Sequence, residues 1–177
     1  MNHVGTKEIK TARLLLRRFR LEDIDAVYQN YGSDPEVNKF ISFAPCKTKE
    51  STTSFVQMHI EKYDADSDFY GWAVTLHGEV IGSVGLFNVD NSSDACEVGA
   101  SLGSKWWGQG FITEAVKALI TFAFDEIGIH RVYASHHKDN IGSGRVLVKN
   151  GMKFEGIMRD AQKNQTVHSV IWYCTRF

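Results

Sequence analysis

The residues best suited to chemistry in this chain lie in the stretch Lys105-Trp-Trp-Gly-Gln-Gly-Phe-Ile-Thr-Glu114. Gly108 and Gly110 stand one residue apart, ahead of an apolar stripe with helical spacing: Phe111, Ile112, Ala115, Val116, Leu119, Ile120, Phe122 and Ala123. A chain that enters a helix through two glycines can bend sharply and leave its first backbone N–H groups uncovered. Those groups, with the positive end of the helix dipole, form a site for phosphate or diphosphate, to which Thr113 adds a hydroxyl. Three ligand classes use such a site. A Walker A loop needs Gly-Lys-Ser/Thr after a longer spacing, which the stretch lacks. A dinucleotide fingerprint needs a third small residue where Thr113 stands, and an acidic residue closing a strand about 20 residues on, which is also missing. The third class is coenzyme A, whose diphosphate sits at a helix start while its thioester arm runs back along a strand edge. Residues 97–102, Glu-Val-Gly-Ala-Ser-Leu, read as that strand. A bare Gly-x-Gly is more often an ordinary strand-to-helix turn, so the rest of the chain must decide.

Composition narrows the classes. The 177 residues suit one domain with a single core. Residues 1–8 are polar and read as a flexible N-terminus, with one domain over 9–177. A formal net charge of −1 implies no broad basic face and argues against a nucleic-acid partner. Cys46, Cys96 and Cys174 are odd in number, widely spaced and without a CxxC. They read as reduced, mostly buried thiols of a cytoplasmic protein, not a disulfide frame or metal site. No signal peptide is expected, and no apolar run approaches the length needed to span a membrane. His136-His137 invites a metal reading, but adjacent residues on a strand point to opposite faces, and no metal is expected.

The elements that must position the glycine turn can be read in order. Residues 9–19 read as a first strand, with Leu14 and Leu16 on one face. A helix opens at Leu21 with acidic residues in its first turn and an apolar stripe of Ile24, Val27, Tyr28 and Tyr31. Asp34-Pro35-Glu36 starts a short turn or helix with proline at its first position. Residues 48–63 read as a helix capped near Thr48; Phe55, Met58 and Ile60 are thin apolar content and place it on the surface. Strands over 69–76 and 79–86 flank His77-Gly78, a hairpin signal. After a polar turn at 88–94 and the strand at 97–102, the glycine helix runs over 110–126 and is closed by Gly128. Residues 130–135 read as strand, 143–149 as helix, 153–156 as strand, and about 168–176 as the last strand. The pattern is mixed α/β, and the glycine helix can join two parallel strands by a right-handed crossover.

These pieces together resemble the GNAT superfamily of acyl-CoA-dependent N-acetyltransferases, in the branch containing the ribosomal-protein N-terminal acetyltransferases RimJ and RimL. Four motifs carry the resemblance over about residues 11 to 173. They are Thr11-Ala-Arg-Leu-Leu-Leu-Arg-Arg-Phe with Asp23, Ser104-Lys-Trp-Trp-Gly-Gln-Gly-Phe-Ile-Thr-Glu-Ala, His130-Arg-Val-Tyr-Ala leading to Asp139-Asn140, and Asn140-Ile-Gly-Ser143 followed by Arg145-Val-Leu and Lys149-Asn-Gly-Met. The resemblance implies a twisted mixed sheet flanked by helices. Its central parallel strands splay apart and leave backbone groups for the amides of pantetheine. It implies acetyl-CoA as co-substrate, with no metal. Ala100 and Leu102 would offer main-chain groups to pantetheine. Gly108, Gln109, Gly110, Ile112 and Thr113, with Trp107 beside them, would cradle the diphosphate, and Asn140 would meet the arm or the adenosine side. The chain departs from the pattern in places. Lys105 replaces the usual Arg or Gln and Ser104 a frequent proline. Leu147, seven residues after Asn140, replaces a tyrosine acid. Ser143, one turn earlier, is then the implied partner of the departing thiolate. His168 stands where an aspartate is common on the last strand.

Acetyl transfer to an amine needs a base for the amine, a donor for the carbonyl oxygen and a partner for the thiolate. Direct attack within a ternary complex gains mainly from orientation and needs no covalent intermediate. Cys96 and Cys174 have no activating partner evident in sequence. Glu97, on the cofactor strand, is the leading candidate for the base, directly or through water; a structural strand-edge carboxylate is the competing reading. Ser143 or Asn140 would also suit a helix N-cap. Glu114 reads as a structural partner. Trp106-Trp107 read as a cover for the loop and core edge, and Arg17, Arg18 and Arg20 as surface charge. Phe40, Phe43, Tyr70 and Trp72 are placed on the acceptor side by fold analogy. The acceptor is a protein N-terminal amine by branch resemblance, with a small-molecule amine or a non-catalytic acyl-CoA-binding module as alternatives. The protein itself is expected as a monomer or homodimer.

Overall fold

The computed structural model describes residues 1–41, 46–159 and 169–175. The expectations placed on Phe43, His168 and Arg176 lie outside them. The element order is β1 (Ile9–Lys10), β2 (Leu15–Arg17), α1 (Ile24–Val27), α2 (Pro35–Asn38), α3 (Lys49–Ala65), β3 (Tyr70–Leu76), β4 (Glu79–Asp90), β5 (Ala95–Leu102), α4 (Phe111–Phe122), β6 (Arg131–His137), α5 (Ile141–Lys149), β7 (Lys153–Met158) and β8 (Ser169–Thr175). The strands form one mixed sheet in the order β1-β2-β3-β4-β5-β6-β8-β7. Every neighbouring pair is antiparallel except β5 and β6.

Helices cover both faces. On one face the apolar stripe of α4 (Phe111, Ala115, Val116, Leu119 and Ile120) packs with Leu16, Trp72, Val98 and Leu102 from the sheet. On the other, Val27, Tyr31, Val56 and Tyr63 from the α1–α3 side pack on Phe19, Ala73 and Val80. This alternation, Trp72 to one face and Ala73 to the other, is the period of two that a strand buried on both sides allows.

Local signals account for most of the boundaries. His77 and Gly78 have φ of 51° and 87°, the two positive values that a two-residue hairpin turn requires. Thr48 caps α3 reciprocally: its hydroxyl accepts from Ser51 N at 3.1 Å, and the Ser51 hydroxyl accepts from Thr48 N at 3.0 Å. Asp34 accepts from Glu36 N at 2.9 Å with Pro35 at the first helical position. Gly128, φ 80°, closes the turn that extends α4.

Two expectations are corrected and one is refined. Residues 9–19 form a tight hairpin, β1 and β2, rather than one strand. Thr11 stitches the connection, its N–H donating to Leu14 O at 3.0 Å and its hydroxyl accepting from Leu14 N at 2.9 Å. The helix read from Leu21 is a 3-10 turn, α1 and then a wide turn over Tyr28–Gly32. α3 lies on the surface, as read, but buries one stripe, Thr52, Val56, His59 and Tyr63, which is not the one the apolar residues suggested: Met58 is exposed. Polar atoms on that stripe find hydrogen-bond partners, local ones for Thr52 and His59, so low apolar content does not keep it out of the core. The Tyr63 hydroxyl donates to Gly71 O and accepts from Phe19 N. Within residues 1–8, Asn2 N donates to Ile127 O at 2.7 Å and Gly5 N to Ser67 O at 3.0 Å, and Thr6 is buried.

Candidate active site

The parallel pairing of β5 and β6 is short. It joins Ala95–Arg131, Cys96–Val132 and Glu97–Tyr133 and then stops, although β5 runs on to Leu102 against β4 and β6 to His137 against β8. Gly103 N donates to Ile81 O, and the β4–β5 register pairs Gly82 with Leu102. By antiparallel alternation Ser101 and Gly99 then bond to β4, and Leu102, Ala100 and Val98 turn their backbone groups to the other edge. That edge faces the opening. Of Leu102's two groups the N–H remains there, because its carbonyl accepts from the Trp107 indole N–H at 2.7 Å. Trp107 is thereby held across the end of β5 while its ring stays half-exposed; Trp106 is buried in the core.

The glycine turn follows at once. Gly108 and Gly110 have φ of 76° and 82°, a region L side chains rarely adopt. The first N–H to return to the chain is that of Glu114, which donates to Gly110 O at 3.0 Å. The N–H groups of residues 108–113 have no acceptor among the described residues. The sequence-predicted cradle of Gly108, Gln109, Gly110, Ile112 and Thr113 is therefore a run of free donors at the positive end of a helix, beside the opening in the sheet.

The base of this turn is built by residues that no spacing suggested. Glu114 accepts from the Thr11 hydroxyl at 2.6 Å, from Arg13 N at 2.9 Å and from Arg13 Nε at 2.7 Å. Burial works against its ionisation, but these hydrogen bonds prevail and hold its carboxyl below the usual range. Arg13 also donates through Nη1 to Gln109 O at 2.9 Å and lies over the Phe111 ring at 4.4 Å. Thr11 and Arg13 sit in a quoted motif, yet they meet Glu114 across 103 and 101 positions, which no periodicity reveals.

Glu97 stands where the parallel pairing ends. Its carboxylate accepts from Asn88 Nδ2 at 2.8 Å and from the Ser135 hydroxyl at 3.0 Å, so neutral donors from β4 and β6 fix its direction. Tyr133 is its register partner; burial foremost, and then the Glu97 charge, push that phenol up. Asn88 and Ser135 are further site residues that sequence reasoning missed.

Asn140 is the N-cap of α5: its Oδ1 accepts from Ser143 N at 3.1 Å. The Ser143 hydroxyl makes no hydrogen bond among the described residues, and α5 packs against α4 and β6 at the far side of the opening. The cap and the candidate thiolate partner are thus different residues. Leu147, standing in place of a tyrosine, is buried.

Other expectations sort by face. Tyr70 and Trp72 belong to the α4-side core and not to the Glu97 face, which corrects their placement as acceptor walls. Phe40 does reach the end of β6, its ring 5.3 Å from that of His137. Arg17 is not surface charge: it is buried and holds Asp23 through two hydrogen bonds of 2.7 and 2.8 Å. His136 is engaged by the Trp172 indole, which donates to Nε2 at 2.9 Å. No group of three or more His, Cys, Asp or Glu side chains able to hold a metal stands among the described residues. Burial pushes the Cys46 and Cys174 thiols up to about 11 and Cys96 to about 12, which leaves them poor nucleophiles. No described helix is long and apolar enough to cross a membrane.

Comparison with known proteins agrees with this architecture. Residues 13–153 match the family model of the acetyltransferase (GNAT) domain. The uncharacterized N-acetyltransferase p20 of Bacillus licheniformis is 33% identical over 154 residues, 86% of each chain. The [ribosomal protein uS5]-alanine N-acetyltransferase of Escherichia coli is 37% identical over 83 residues, 46% of this chain and 43% of its own. The structure of RimL, the ribosomal L7/L12 alpha-N-protein acetyltransferase in complex with coenzyme A, superposes with a TM-score of 0.83. It covers 96% of this chain and 98% of its own at 19% identity, a likeness of fold. The chain belongs to the GNAT family and is an acetyl-CoA-dependent N-acetyltransferase with RimJ- and RimL-like relatives.

Proposed function

We propose that this N-acetyltransferase moves the acetyl group to a primary amine by direct attack within a ternary complex. The observation that carries the reading is the run of unpaired amides at 108–113 beside the opening between β5 and β6. On this reading those amides take the diphosphate of acetyl-CoA, and RimL, a protein of the same fold with coenzyme A bound, supports it. The pantetheine arm enters the opening and pairs with the main chain of Ala100 and the N–H of Leu102, with Asn140 on its far side. Glu97 accepts the amine proton, directly or through one water, from a carboxylate already oriented by Asn88 and Ser135. The amine nitrogen bonds to the thioester carbonyl carbon, and a main-chain N–H on the edge of β5 that faces the opening steadies the oxygen as it gains charge. The C–S bond then breaks, and the Ser143 hydroxyl donates to the departing thiolate.

The acceptor on this reading is the N-terminal amine of a protein. The ribosomal-protein acetyltransferases among the relatives support that class. Thiol release from acetyl-CoA, measured against peptide N-termini and against polyamines, amino acids and aminoglycosides, tests it. Turnover confined to peptide N-termini is the expected result. Turnover confined to small amines would replace the acceptor, and coenzyme A binding without turnover on any amine would remove the catalytic roles given to Glu97 and Ser143.

A further inference from the structure

We propose that Arg13 is a positioning residue for the diphosphate cradle, locking the glycine turn in the orientation that aims its amides outward. The inference rests on the reading of residues 108–113 as the diphosphate site. Arg13 comes from the connection between β1 and β2, 96 positions before Gln109, and its guanidinium ties two parts of the turn together. Nη1 holds the Gln109 carbonyl at 2.9 Å and Nε holds Glu114 at 2.7 Å, while the Arg13 N–H holds the other Glu114 oxygen. Nη2 lies 3.4 Å from the point a Gly110 Cβ would occupy. No cis peptide bond occurs among the described residues, so the Gln109 C=O and the Gly110 N–H point in opposite directions. Fixing the carbonyl on the Arg13 side therefore fixes the Gly110 N–H on the other. The next peptide is fixed in the same way, because Gly110 O accepts from Glu114 N, the residue whose side chain Arg13 holds. Without these bonds, two glycines with access to both signs of φ would let the turn reorient.

A purely structural arginine would change stability without regard to which part of the donor carries a diphosphate. The test therefore compares two donors: acetyl-CoA, and S-acetylpantetheine, which has the thioester arm and no diphosphate. The quantity read is the ratio of the KM for S-acetylpantetheine to that for acetyl-CoA, which the wild-type cradle makes large. In Arg13→Met, which keeps an unbranched stem over Phe111, this ratio is expected to fall about tenfold, the loss of roughly one hydrogen bond to a charged ligand. Arg13→Lys keeps the charge but cannot hold Gln109 and Glu114 together; it is expected to shift the ratio in the same direction and serves if the methionine variant does not fold. A ratio unchanged in a folded variant overturns the inference. A wild-type ratio near one overturns the cradle itself, and the two failures are distinguished by the wild-type value alone.

Discussion

Replacing Ser143 by alanine separates two jobs that a residue at a helix start often combines. In the structure they fall on different atoms. The cap is Asn140 Oδ1 receiving the Ser143 backbone N–H, and that bond survives the substitution. The serine hydroxyl has no partner among the described residues, so no folding contact is lost with it. Alanine's better helix propensity offsets any small packing loss, by about 0.5 kcal/mol. The melting temperature should therefore move by no more than about 2 °C. In the transition state the hydroxyl meets developing negative charge on sulfur, and a hydrogen bond to a charged group contributes about 1.5–3 kcal/mol. Its loss corresponds to a fall in kcat of about 10- to 150-fold. Coenzyme A affinity should stay near the wild-type value, because the diphosphate amides are untouched. Asn140→Ala is the counterpart: loss of the cap costs about 1 kcal/mol, or about 2–4 °C in a chain of this size. The assays are initial rates of thiol release at saturating acetyl-CoA, equilibrium coenzyme A binding and thermal melting. A kcat unchanged by Ser143→Ala refutes the thiolate role. A melting loss equal to that of Asn140→Ala refutes the division of labour.

Further outcomes follow from other parts of the structure. Gly110→Trp sets an indole at a left-handed position beside the free amides and should abolish coenzyme A binding, measured by calorimetry on the folded variant; retained binding would contradict the cradle. Arg17→Met strands the buried Asp23 carboxylate with only the Arg20 N–H among the described residues, and should cost about 3–5 kcal/mol, lowering the melting temperature by on the order of 10 °C. His59 lies among Phe19, Phe55 and Phe69, and burial lowers its pKa. The unfolded chain therefore binds its proton first, so the stability contributed by the neutral ring is complete above about pH 6.5 and declines as pH falls from there toward the lower folded value. Melting curves recorded across that window should show the decline in the wild type and a flatter profile in His59→Phe.

Much of what depends on neighbours in sequence could be read from the sequence, though not the Thr11–Leu14 turn that makes residues 9–17 a hairpin. The free amides at 108–113 follow from Gly108, Gly110 and an apolar stripe of period 3.6, all within one stretch of chain. The turn at His77-Gly78, the Thr48 cap, Pro35 at a helix start and Gly128 at a helix end are likewise local conformational preferences. The four ordered motifs brought the family with them. Tertiary structure decided everything that joins distant positions. It carried Arg13 to Gln109 and Glu114. It placed Asn88 and Ser135 on Glu97, and turned a polar-looking α3 inward because its tyrosine hydroxyl finds Gly71 and Phe19. The physical reason is the range of the forces. Backbone dihedral preferences and side-chain periodicity act within a turn or two. A hydrogen bond is specified only once packing has brought donor and acceptor together, and no pattern along the chain records which distant pair that will be.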